Sequence, residues 1–116
     1  MSAIKSPKAA SAAECQRLEQ LPNVGPAMAG DLRALGILHP AELARRDALQ
    51  LYRQLEQLSG KQQDPCVLDT FMAVIDFMQG AAPRPWWDYT AQRKQVHGAL
   101  HPAPQRVERQ GSAAAA

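Results

Sequence analysis

Leu21-Pro-Asn-Val-Gly-Pro-Ala27 is the stretch on which the fold turns. Pro22 and Pro26 bracket a tight turn, and Asn23 and Gly25 are the residue types that enter left-handed backbone most cheaply. Pro26 suits the first position of a helix, where its missing N–H costs nothing. The segment therefore predicts a hairpin, with one helix closing near Leu21 and the next opening at Pro26.

Both flanks read as helix. Upstream, Ser11 and Glu14 have capping-box spacing, which predicts a helix over about 12–21 with Leu18 and Leu21 on one face and Cys15 close to it. Downstream, Met28, Ala29, Leu32 and Leu35 recur at helical spacing, and Gly36 supplies the stop. Pro40 opens a short helix to about Arg45, with His39 before it as a candidate cap. Asp47 caps a further helix that Gly60 ends, with Leu51, Leu55 and Leu58 as its apolar stripe. Asp64-Pro65 is again a cap followed by proline. The helix of about 65–79 is apolar almost all round, which predicts a central position in the core.

The fold class expected is all-α: about five short helices in a compact bundle, followed by an extended aromatic segment, Pro83-Arg-Pro-Trp-Trp-Asp-Tyr89. The chain has 116 residues, about one domain. Alanine and leucine dominate and β-branched residues are few, which favours helix over sheet. The organisation expected is a disordered segment 1–10, a helical domain 11–94, and a disordered polar tail 95–116.

Charge is unevenly spread. The whole chain carries +2, but residues 14–80 hold six basic and nine acidic side chains. The body is acidic and the ends are basic, the reverse of a strong nucleic-acid binder. Cys15 and Cys66 make no metal-ligand or disulfide pattern and read as reduced thiols. No run approaches the ~20 apolar residues of a membrane span, and no signal peptide is expected. The expected setting is the cytoplasm, with no membrane partner.

Leu21 to Leu32, with Leu35-Gly-Ile37, resembles the helix-hairpin-helix motif. The wider pattern resembles the pathogenicity-locus, or mitomycin-resistance-like, family. Leu43-Ala-Arg-Arg-Asp47, Leu51-Tyr52, Asp64-Pro-Cys-Val-Leu-Asp69 and Arg84-Pro-Trp-Trp87 carry that likeness. A more distant similarity is to the helical C-terminal domain of the competence regulator TfoX. The resemblance implies an all-helical fold of about five helices and no particular reaction.

Hairpins of this kind hold nucleic-acid phosphates on free backbone amides, helped by the positive end of the following helix. The phosphate-binding residues expected here are Asn23, Val24, Gly25, Ala27 and Met28, with Arg33 as the basic group on the second helix. The motif often carries lysine where this chain has Ala27, so the DNA contact expected is weak and independent of sequence. The rival reading is a protein-interaction adaptor whose surface is Arg84, Trp86, Trp87 and Tyr89. Cys66 in the first turn of a helix is a candidate nucleophile, weighed against an inert, buried thiol. Asp64, Asp69 and Asp76 are too scattered around a helix for paired-carboxylate chemistry. No catalytic residue, metal site or cofactor is expected.

Overall fold

A computed structural model describes residues 8–101 of the chain. Among these residues the fold is all-helical and contains no strand. There are four α-helices, α1 (Pro26–Ala34), α2 (Ala48–Ser59), α3 (Pro65–Met78) and α4 (Thr90–His97), with two 3-10 turns before α1 (Ala12–Glu14 and Leu18–Gln20), one between α1 and α2 (Pro40–Arg45) and one before α4 (Trp86–Tyr89).

The turn chemistry sets most of the boundaries. Asp47 accepts from the Gln50 amide at 2.9 Å and Asp64 from the Cys66 amide at 2.8 Å, so both aspartates satisfy donors that a helix start leaves open. His39 does the same for the third 3-10 turn, its Nδ1 accepting from the Ala41 amide at 3.1 Å. Gly36 and Gly60 end α1 and α2 with φ of +91° and +73°, backbone that glycine adopts without a Cβ penalty.

α3 is the centre of the core. Leu68, Phe71, Val74 and Phe77 are buried along it, and it packs on α2, on the 40–45 turn and on the 86–89 turn. Leu18, Leu21, Val24, Ala29, Leu32 and Leu43 join the cluster, with Leu51, Tyr52 and Leu55 from α2. Leu58, the last member of the α2 stripe, stays 58% exposed.

The segment before the turn departs from expectation. The helix expected over 12–21 is two 3-10 turns broken at Cys15–Arg17. Ser11 makes no side-chain cap. Instead the Gln20 side-chain oxygen takes the amides of Gln16 and Arg17 at 2.8 and 2.9 Å, and those donors are lost to any continuous helix. Cys15, Leu18 and Leu21 are still buried, because the broken path keeps all three on the inner side.

Both ends of the domain extend further than expected. Ala9 is buried and its amide donates to Gln20 O at 2.8 Å. The aromatic segment is extended only to Pro85; it then winds into a 3-10 turn that continues directly into α4. α4 was not anticipated, and it carries the chain past residue 94. Its anchor is Arg93, whose Nε donates to the fully buried Asp69 of α3 at 2.7 Å. Thr90 Oγ1 donates to the other Asp69 oxygen at 2.7 Å. Leu100 then returns to the core. The disorder expected for 1–7 and 102–116 lies outside the described residues.

Candidate nucleic-acid interface

Asn23 sits at φ +72°, the left-handed turn position its type predicts. Gly25 does not: its φ is −93° and its ψ −176°, extended backbone open to any residue. A Cβ added there meets nothing within 4 Å. Gly25 thus has neither a conformational nor an internal packing reason to be glycine.

The amides divide into used and free. The Val24 amide donates to Leu21 O at 3.2 Å and Val24 itself is buried, which removes it from the expected donor set. Gly25 is the N-cap of α1 and makes no side-chain cap. The amides of Gly25, Ala27 and Met28 have no partner among the described residues, and Gly25 and Ala27 are exposed.

The charge around this corner is arranged by two contacts. Arg33 is not an open cation, because both of its terminal nitrogens hold the Glu19 carboxylate at 2.8 Å. The bond from Arg33 brings the Glu19 carboxyl down to about 2. Lys8 is the cation that the sequence reading missed. Its ammonium donates to Glu19 O at 3.0 Å and also to Val24 O. The Val24 carbonyl belongs to the same peptide unit as the Gly25 N–H, so the ammonium polarises that unit and strengthens its donor. Nothing in the residues around Lys8 signals this role; its position follows from the burial of Ala9 and the Ala9–Gln20 bond.

Asn23 joins the two surfaces that the sequence treats as separate. Its Nδ2 donates to Arg84 O at 2.8 Å and its Oδ1 accepts from the Trp86 amide at 3.2 Å. The Asn23 side chain is therefore a strut between the hairpin and the aromatic segment. Trp86 is half-buried and meets Trp87 edge-to-face at 5.6 Å, while Trp87 is 61% exposed. Arg84 lies over the Tyr89 ring at 4.9 Å and bonds Asp88 at 3.4 Å. Tyr89 does not belong to an exposed surface. It is buried, and its hydroxyl donates to Asp76 at 2.7 Å. Burial and that bond push the phenol up to about 12. Tyr89 is the buried aromatic of this turn.

Cys66 has the chemistry of an inert thiol. Partial burial, the bond to Asp64 and the charges of Asp64 and Asp69 push it up to about 11, outweighing the helix dipole. Among the described residues no group of three or more His, Cys, Asp or Glu could hold a metal ion, and no helix is long and apolar enough to cross a membrane.

Residues 11–95 match the family model described as Cdd1, pathogenicity locus. The chain belongs to that family. It is also 40% identical over 79 residues to the mitomycin resistance protein McrB of Streptomyces lavendulae, covering 68% of this chain and 75% of the relative. No solved structure matches it. The matched region takes in the 21–27 turn, the Asp69–Arg93 pair and the Trp86–Trp87 turn, so the family model spans both halves of the candidate interface.

Proposed function

We propose that this pathogenicity-locus protein is a non-catalytic, cytoplasmic nucleic-acid-binding module of helix-hairpin-helix type. It holds DNA phosphates weakly, without reading sequence, on the amides of Gly25, Ala27 and Met28. The observation that carries the reading is a glycine with no internal need to be one, set among amides without partners. A phosphate oxygen there gains those donors and the positive end of α1. Lys8 supplies charge through the Val24 peptide, where the motif's lysine is replaced by Ala27.

The acidic body limits the affinity. A net negative 14–80 region and an Arg33 held by Glu19 keep the contact weak, and it weakens further as salt is added. Titration of labelled single- and double-stranded DNA at several salt concentrations tests this. Binding at low salt that weakens in Gly25→Val supports the site. No binding at low salt sinks it, and binding unchanged by Gly25→Val moves it elsewhere.

A second reading is favoured by the exposure of Trp87: a protein-interaction adaptor that uses the Trp86–Trp87 turn with Arg84 on its flank. Loss of a partner in Trp87→Ala, with DNA binding retained, would favour it.

A further inference from the structure

The chain just past α4 is fastened to α2 by a compact polar cluster. Gly98, at φ +61°, turns the chain back, and Leu100 enters the core. Arg53 Nη2 donates to Leu100 O at 2.7 Å, while its Nη1 donates to Glu56 Oε1 at 2.9 Å. The other Glu56 oxygen accepts from the Gln63 amide at 3.0 Å and meets His101 Nε2. His101 Nε2 is also 3.2 Å from the Tyr52 hydroxyl, which itself donates to Gln63 O.

This geometry assigns the protons. The Tyr52 hydrogen goes to Gln63 O, so the oxygen faces His101 with a lone pair. Glu56 also faces it as an acceptor. Both partners of Nε2 accept, so Nε2 carries a hydrogen, and the proton that comes and goes is the one on Nδ1.

The other groups keep their charge. Tyr52 is pushed up to about 12 by burial and by Glu56. Burial opposes ionisation of Glu56, but the bonds from His101, Gln63 and Arg53 prevail and bring it to about 2. Asp64, whose charge also reaches Tyr52, is held below its ordinary value by the Cys66 amide. Imidazole is the side chain that changes charge between pH 5 and 8.

We propose that His101 is a proton-operated clasp: its imidazolium form locks residues 98–101 onto α2 through Glu56, and loss of the Nδ1 proton loosens that arm and uncovers the core seat of Leu100. Glu56 is ionised with or without the Nδ1 proton, so what that proton adds is the Coulomb attraction of an imidazolium for the carboxylate, enough at this partly buried contact to change a docking equilibrium about tenfold. The device is independent of the DNA reading, and either can fail alone.

The test is NMR on the full chain from pH 5.5 to 8.5, following the Leu100 methyl groups and the His101 ring. The expected result is a Leu100 methyl shift that moves toward its unfolded position as pH rises, in step with the His101 ring, while the Phe71 and Val74 signals of α3 stay fixed. Glu56→Gln and His101→Gln should each abolish that pH dependence, and His97→Gln, which removes the neighbouring imidazole, should leave it intact. Leu100 methyls that ignore pH in the wild type overturn the proposal. So does a pH response that persists in both Glu56→Gln and His101→Gln, or that disappears in His97→Gln.

Discussion

Asn23→Gly separates the strut from the backbone it stands on. Glycine adopts the φ of +72° freely, so the turn keeps its path. What is lost is the pair of bonds to Arg84 O and the Trp86 amide. Each is worth about 0.5–1.5 kcal/mol, so about 2 kcal/mol of attachment for the aromatic segment is removed. That is about a 30-fold shift toward the detached segment, at 1.4 kcal/mol per factor of ten. Asn23→Ala loses the same bonds and must also hold a Cβ in left-handed backbone, about 1 kcal/mol more. Both tryptophans of the chain are at 86 and 87, so their fluorescence reports this segment alone. Acrylamide quenching should rise in both variants, with urea unfolding by circular dichroism lower in Asn23→Ala than in Asn23→Gly. Unchanged quenching and stability in Asn23→Gly would refute the claim that one side chain couples the two surfaces.

Three further outcomes follow from the geometry. Arg93→Met strands the Asp69 carboxylate in the core and should cost about 3 kcal/mol in chemical denaturation; adding Asp69→Leu should recover most of it, because an apolar pair replaces a buried ionic one at little cost. Cys66, pushed up to about 11 from 9.0, should react about a hundredfold more slowly with iodoacetamide at neutral pH than an unperturbed thiol, since the thiolate is the nucleophile; reaction at an ordinary rate would contradict the burial argument. Glu19 and Glu56 both sit at about 2 in the fold against 4.5 unfolded. Depressed carboxylates contribute stability above the unfolded value that is lost on acidification, so stability should fall between pH about 4.5 and about 2. Removing Arg33 should flatten the Glu19 part of that fall.

The legible parts of the fold were those written in local chemistry. Asp47, His39 and Asp64 announce their caps because a side-chain oxygen or nitrogen two or three residues before an open amide has one evident use. Gly36 and Gly60 announce stops for a similar reason. α3 is legible because its apolar residues occupy every face. The break at Cys15–Arg17 was hidden, because it depends on Gln20 reaching back to two amides in competition with a plausible capping box. α4 was hidden too. Its sequence, Thr-Ala-Gln-Arg-Lys-Gln-Val-His, has no apolar stripe, and it is held by an ion pair to Asp69 that only the folded core creates.

The candidate site divides the same way. The left-handed Asn23 and the open α1 start were readable from Pro-Asn-Val-Gly-Pro. That Val24 spends its amide inside the turn, that Glu19 neutralises Arg33, and that Tyr89 turns inward to Asp76 were not readable. Each depends on a partner distant in sequence or on the exact path of the chain. Lys8 lies in a stretch whose sequence predicts a loose end, because its partners are backbone carbonyls, which have no sequence signature.

The central claim is that phosphates meet the amides of Gly25, Ala27 and Met28, and backbone amide shifts during addition of a short DNA strand at low salt test it most directly. The expected result is progressive, salt-reversible movement of those three signals, with Val24 much less affected because its N–H stays on Leu21 O. Shifts confined to other surfaces, or no shifts at saturating DNA, would contradict it.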